Sequence, residues 1–261
     1  MDRRAQLEAF IRAMHEGYAV LGTLSGGTVV REGGLLMAAG PHPDALIANT
    51  ALRTDPAITA DAVLRRTREH YDAIGCRFDL ATFALTDADL DEAASAAGWS
   101  LNVELPCMVI DGPAGEVTPP EGVSIRRARP DADGLTVGRI VAECFTYEHA
   151  QIEGMRAMFV QPAMIGDTGW PFVIASVGGE DVAAAAWFVR GDVGVLGFVA
   201  TLPAYRRRGI GAFVSRLATN AAFEAGARYV GLQASREGRP VYQSLGYVTV
   251  GDSAIWAPPE V

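Results

Sequence analysis

The stretch FVATLPAYRRRGIGA, from Phe198 to Ala212, decides how this chain is read. Phe198, Val199, Ala200 and Thr201 end a strand-like run, Pro203 breaks it, and a helical pattern opens near Gly209. A helix N-terminus leaves about four backbone N–H groups without intrahelical partners and carries roughly half a positive charge, so it attracts a phosphate. Glycine at 209 and 211 lets that backbone approach a pyrophosphate closely, because no Cβ intervenes. Arg206, Arg207 and Arg208 add counter-charge. A dinucleotide fingerprint would need a third glycine where Val214 stands, and a Walker loop would need Gly-Lys-Ser/Thr, so neither applies. The bland alternative for so short a motif is a glycine-containing loop beside solvated arginines, and the surrounding pattern has to decide.

Upstream, residues 172–177, 182–189 and 193–201 read as three strands joined by the turn-like segments GGED (178–181) and RGD (190–192), an antiparallel meander. Before them come a strand at 123–128 and helical spacing over 137–145 and 151–160. Downstream, a helix over 209–225 places Ile210, Phe213, Val214, Leu217, Ala218 and Ala221 on one face and ends at Gly226. A strand at 229–234, a helix at 240–245 stopped by Gly246, and a final strand pair over 247–256 complete the pattern.

The segment DGPAGEVTPPEG (111–122), with three prolines and three glycines, reads as a linker between domains at 1–112 and 122–261. The first half carries a helix near 5–18, short strand-like pieces, a helix over 59–74, a strand at 77–85, a helix at 87–97 and a strand at 101–110.

With 49% hydrophobic and 20% charged residues, the 261-residue chain has the composition of a globular protein with its own core. The N-terminus intersperses charge among Leu7, Phe10, Ile11 and Met14, unlike a signal peptide, and no apolar run reaches the roughly 18 residues of a membrane span, so a cytoplasmic protein is expected. Cys76, Cys107 and Cys144 form no CxxC pair, which argues against a disulfide framework or a metal site. The net charge of −9 disfavours nucleic acid and anionic membranes and tolerates a cationic small molecule or peptide; a homodimer is compatible with all of this.

The two segments together resemble the GNAT superfamily of N-acetyltransferases, whose signature is a strand, often a proline, then Arg/Gln-x-x-Gly-x-Gly/Ala opening a helix. Arg206, Gly209 and Gly211 occupy those places, and ASREGRPVYQSLGY (234–247) matches the family's second segment, ending in Tyr242, Gly246 and Tyr247. The resemblance implies a mixed α+β fold with a mostly antiparallel sheet flanked by helices, acetyl-CoA as cofactor, and acetyl transfer to a primary amine of a small molecule or peptide. It places the pantetheine arm along Val199, Ala200 and Thr201, and the pyrophosphate on Arg206, Arg207, Arg208, Gly209, Ile210, Gly211 and Ala212. It also implies a strand bulge, for which Gly197 is the expected position.

Ser235 stands where many members carry a cofactor-contacting asparagine, and it can hydrogen-bond with shorter reach. Tyr242 is the implied proton donor to the departing thiolate; its alternative is a ring packed beneath the sheet. The strand at 193–201 has no carboxylate, so a general base would be water or a group elsewhere, with Glu143, Glu148, His149 and Glu153 bordering the acceptor region. A noncatalytic acyl-CoA-binding protein on the same fold is the competing reading.

The first half looks like a degenerate copy. AASAAGW (93–99) aligns with VYQSLGY (241–247), so Ala94 falls opposite Tyr242. Aligning Gly75 with Gly226 puts Asp55, Ile58 and Ala60 opposite Arg206, Gly209 and Gly211, and the pyrophosphate loop is absent there.

Overall fold

The computed structural model describes residues 2–145 and 149–259. It is a mixed α+β structure built on a single sheet. The first half contributes α1 (Arg3–Leu24), β1 (Thr28–Glu32), β2 (Leu35–Ala39), β3 (Thr50–Arg53), α2 (Ala60–Ile74), β4 (Asp79–Phe83), α3 (Ala84–Ala96) and β5 (Ser100–Ile110). The second contributes β6 (Val123–Arg127), α4 (Gly134–Phe145), α5 (His149–Met158), β7 (Phe172–Val177), β8 (Glu180–Arg190), β9 (Val193–Thr201), α6 (Ile210–Glu224), β10 (Tyr229–Gln233), α7 (Arg239–Ser244) and β11 (Val248–Ala257).

Both halves repeat one order of elements. β2 and β3 run antiparallel, α2 follows, and β4 returns parallel to β3. β8 and β9 run antiparallel, α6 follows, and β10 returns parallel to β9. The aligned glycines keep their roles: Gly75 and Gly226 end α2 and α6, Gly98 and Gly246 follow α3 and α7, and all four have positive φ. That conformation suits glycine after a helix because no Cβ meets the backbone.

The halves are joined by exchanged strands. The sheet order is β1-β2-β3-β4-β11-β5-β10-β9-β8-β7-β6, so the last strand of each half lies inside the other. β11 pairs with both β4 and β5, while β5 pairs with both β11 and β10. The strand pair expected over 247–256 is therefore corrected to one continuous strand. Its partners come from the first half, and Gly251, which reads as a turn residue, marks a register shift against β5.

α1 is longer than its sequence pattern and starts at a cap, the Asp2 carboxylate accepting from the Ala5 N–H at 2.9 Å. It packs across β1, β2, β8, β9 and β11. Phe10 stacks on Gly231, Leu7 on Gly251, and Gly17 admits Phe188 and Trp170. A Cβ at Gly251 would stand 2.5 Å from Leu7 Cδ2, and one at Gly231 would fall inside the Phe10 ring's contact radius. A large core lines α1, α4, α6 and both halves of the sheet, and a smaller one, including Tyr71, Phe78, Trp99 and Trp256, lies beneath α2 and α3.

The proline-rich segment 111–122 is laid along α6 rather than spanning open solvent. Ala114 N–H donates to Asn220 Oδ1 at 2.8 Å, Asn220 Nδ2 donates to Gly115 O at 3.0 Å, and Arg216 donates to Glu116 O at 3.0 Å. No described helix is long and apolar enough to cross a membrane.

Because α1 rests on bare backbone, Gly231→Ala should destabilise the protein by about 1–3 kcal/mol through overpacking against Phe10. Gly112→Ala, where a Cβ meets nothing within 4 Å, should stay within about 0.5 kcal/mol. Chemical denaturation of both variants checks this; equal stability would show that α1 does not need the glycine floor.

Candidate functional site

The site begins where two parallel strands part. β9 and β10 are paired at Val193–Tyr229, Gly194–Val230 and Val195–Gly231, and the ladder stops there. Past Val195, no described strand pairs with the edge of β9 that faces β10, while the other edge stays on β8, with Ala200 opposite Ala184 and Thr201 opposite Ala183. Leu202 N–H donates to Val182 O at 2.9 Å, so in the antiparallel alternation Ala200 turns its backbone groups to β8 and Thr201 turns its own to the opening between the strands, where an added strand would pair.

A bulge accompanies the opening, one residue later than expected. Gly197 and Ala200 on β9 face Ala186 and Ala184 on β8, so Phe198 and Val199 oppose one residue. Phe198 carries the distortion, with φ of 51°, a conformation that costs a bulky residue about 1–3 kcal/mol. Its ring is held by Phe159 (5.4 Å), Trp170 (5.1 Å) and Phe172 (6.0 Å). Gly197 is needed for another reason: a Cβ there would lie 2.6 Å from Trp170 Cζ3.

At the mouth of the opening, Pro203–Tyr205 form a short 3₁₀ turn that leads into the loop before α6. Arg207 (φ 61°) and Gly209 (φ 77°) are both left-handed. Alternating handedness turns successive N–H groups toward one side and makes an anion-binding concavity. Gly209 caps α6 with no side-chain hydrogen bond, which leaves the first N–H groups of the helix, from Ile210, Gly211 and Ala212, without a side-chain cap among the described residues. At Gly211 a Cβ would meet only Thr201 Oγ1, at 3.4 Å, so glycine there leaves room above the loop.

The three arginines differ. Arg206 Nε donates to Thr201 O at 2.9 Å, tying the loop to the end of β9, and Cys144 Sγ donates to the same oxygen at 3.3 Å. The Arg208 guanidinium lies over the Tyr205 ring at 5.5 Å, and Tyr205 donates to Glu180 at 2.7 Å. Arg207 is exposed.

Tyr242 stands on α7, its ring nearly buried and 5.8 Å from that of Tyr247. Burial raises its pKa, opposed by a hydrogen bond with the Ser215 hydroxyl, so the phenol keeps its proton at neutral pH. Ser215 donates to Gly211 O at 2.8 Å, which places Tyr242 one helical turn from the loop. Ser215 is a residue the sequence pattern did not single out, since a serine inside a helix gives no signal of what it faces. The Ser235 hydroxyl accepts from Gly238 N–H at 3.0 Å, closing the turn before α7; it keeps a proton to donate. Among the candidate bases, Glu143 is exposed and 3.9 Å from Arg139, Glu153 is exposed, and Glu148 and the His149 side chain lie outside the described residues.

The equivalent place in the first half is closed. Arg53, at the end of β3, is buried and pairs with Asp87 at 2.9 Å and with Asp89, while donating to Thr86 O at 2.7 Å. The α2 terminus is capped by Thr59, and Asp61 adds negative charge to its first turn. The Asp55 carboxylate already accepts from Ala57 N–H at 2.9 Å. Both an internal cap and an acidic first turn oppose a phosphate. Among the described residues no cluster of three metal-ligating side chains occurs.

Residues 168–249 match the family model for the acetyltransferase (GNAT) domain. No curated protein matches the chain. Among solved structures, a GCN5-related N-acetyltransferase from Kribbella flavida is similar, with 21% identity, coverage of 95% of both chains and a TM-score of 0.69. One from Sphaerobacter thermophilus aligns at 15% identity over 88% of this chain and 79% of that one, with a TM-score of 0.60. A tandem GNAT protein from the clavulanic acid biosynthesis pathway aligns at 15% identity over 89% and 82%, with a TM-score of 0.59. At these identities the structures speak to the fold.

If the uncapped loop is a phosphate cradle, Gly209→Val and Gly211→Val should each weaken binding of CoA by at least about tenfold, the loss of one charge-assisted hydrogen bond. Titration calorimetry reads this directly, and unchanged affinity in both variants would contradict it.

Proposed function

We propose that this chain, whose second half belongs to the GNAT superfamily, transfers an acetyl group from acetyl-CoA to a primary amine of a small molecule or peptide by direct transfer. The observation that carries the proposal is an uncapped, left-handed loop at the mouth of a strand opening, with a buried, protonated tyrosine bonded to the first turns of the helix that the loop starts. One acyl-CoA site per chain, in a catalytic unit at 122–261 supported by 1–112, is the reading favoured by a GNAT-domain match at 168–249 and by the buried Arg53 cluster at the equivalent place in the first half.

In this reading, backbone N–H groups from Arg207 to Ala212 bind the pyrophosphate, and Arg206 fixes the loop to β9. The pantetheine arm lies along Val199, Ala200 and Thr201, with Ser235 beside it. The acceptor must arrive as a neutral amine, although free amines of pKa near 10 are mostly charged at pH 7. The C–N bond forms as the C–S bond breaks; the amine proton leaves to water, the sulfur takes a proton from Tyr242, and water returns a proton to the phenolate. A thiol of ordinary pKa about 8.5 is more acidic than a phenol of about 10, so full transfer is uphill in water. Burial disfavours the thiolate as well as the phenolate, so the proton passes from Tyr242 to the sulfur as the C–S bond breaks.

A noncatalytic acyl-CoA sensor would use the same loop but would not need Tyr242. The protein is expected to act in the cytoplasm on a cationic or neutral amine, without nucleic acid, membrane or metal; a homodimer is compatible with this reading.

Tyr242→Phe keeps the ring and removes the hydroxyl. It should leave CoA affinity near wild type and lower kcat by about 10²- to 10⁴-fold. An acyl donor with a more acidic thiol should recover part of the loss. Steady-state kinetics with acetyl-CoA over an amine and amino-acid panel checks this. Near-wild-type kcat when chemistry limits the rate would make Tyr242 a packing residue, and a wild type that binds CoA without turning over any amine would favour the sensor.

A further inference from the structure

The opening between β9 and β10 is roofed on one face by two aromatic rings, and one of them comes from the other half of the chain. Side chains alternate faces along a strand. A Cβ at Gly194 would point at Ala222 of α6 and at Val230. Val230 therefore shares the α6 face, and its neighbour Gly231 points the opposite way, where it meets Phe10 of α1. On β9, Gly197 lies three residues from Gly194 and before the bulge, so it also faces away from α6, and it meets Trp170. The last paired rung of the two strands is Val195–Gly231. Phe10 thus covers the apex of the opening, and Trp170 covers β9 two residues beyond it.

The phosphate cradle at the start of α6 and Tyr242, which reaches Ser215 of α6, belong to the opposite face. A pantetheine arm anchored there and threaded between the strands delivers its acyl group toward Phe10 and Trp170. Phe10 is completely buried and Trp170 is 4% exposed. Trp170 is further locked by Phe188 at 4.5 Å and by Phe198 at 5.1 Å. Rings packed this tightly on two bare glycines leave no slack for methylenes beyond a short acyl group.

We propose that Phe10, supplied by the first half, and Trp170 together form the floor of the acyl site and restrict the donor to short acyl groups. This rests on the acyl-CoA reading above, and it gives the degenerate half a specific task, to set acyl length. Both are specificity residues that shape the site and take no part in proton transfer.

The test is calorimetric binding of CoA, acetyl-CoA, butyryl-CoA and octanoyl-CoA to the full chain as wild type, Phe10→Leu and Trp170→Leu, each first shown folded by thermal melting. Wild type should bind octanoyl-CoA at least about tenfold more weakly than acetyl-CoA, the order of discrimination that a closed apolar pocket gives. In either folded variant that ratio should shrink by about tenfold. If wild type binds CoA but shows equal affinity along the series, the floor is overturned while the acyl-CoA reading stands. The floor is equally overturned if the folded variants keep the wild-type ratio. If wild type binds no CoA, the acyl-CoA reading falls and takes the floor with it. The wild-type series decides even where a variant fails to fold.

Discussion

Contact between α1 and bare strand backbone at Gly231 and Gly251 is the constraint on which the rest of the molecule depends. A helix lies above a sheet at a distance set by side chains from both. Where the sheet has none, Phe10 and Leu7 reach the backbone itself. Gly231 belongs to β10 and Gly251 to β11, so one helix of the first half fixes the two strands that follow α6 in the second. The exchange of β5 and β11 makes that dependence mutual, since each half completes its sheet with the last strand of the other. An opening between β9 and β10 can then exist beside a rigid strand rather than at a loose edge, and it leaves backbone groups available without unravelling the sheet.

The same order of elements gives opposite outcomes at two helix N-termini. α6 begins at a left-handed glycine with no side-chain cap and no acidic residue in its first turn. α2 begins at Thr59, which supplies its own cap, and carries Asp61. The strand before α6 ends at the Thr201 carbonyl that Arg206 uses to anchor the loop, whereas the strand before α2 ends at Arg53, buried against Asp87 and Asp89. Arg53 and Asp87 are both buried, and removing one partner of such a pair typically costs about 3–5 kcal/mol, so this cluster is a fixed part of the first half. Architecture is shared between the halves, and the difference between the two helix N-termini resides in a few side chains.

Much of this was legible in the chain itself. The meander of β7, β8 and β9, the helix after Gly209, and the αL glycines that end helices all follow from local chemistry: alternation, turn residues and the absence of a Cβ. Strand exchange was not legible, because hydrogen-bond partners distant in sequence leave no local trace, and Gly251 in β11 resembles a hairpin turn. Gly197 looked like the bulge for a similar reason. A glycine inside a strand marks either a bulge or a close neighbour, and here the neighbour is Trp170, with the bulge displaced to Phe198 and Val199. The proline-rich segment reads as a break in pattern, but its docking on Asn220 and Arg216 depends on partners about a hundred residues away. At the site, the loop and Tyr242 were visible as motifs, while Ser215 and the plug formed by Arg53 emerge only from packing.

The central claim, that one half of a repeated fold binds an acyl-CoA and the other half is closed to it, is tested most directly by a crystal structure of the full chain grown with CoA. The expected result is one CoA per chain, its pyrophosphate on the backbone of Arg207 to Ala212 and its pantetheine arm between β9 and β10, with Arg53 still paired to Asp87 and Asp89. CoA bound at Asp55 to Ala60, or bound in the second half away from the α6 loop, would contradict it.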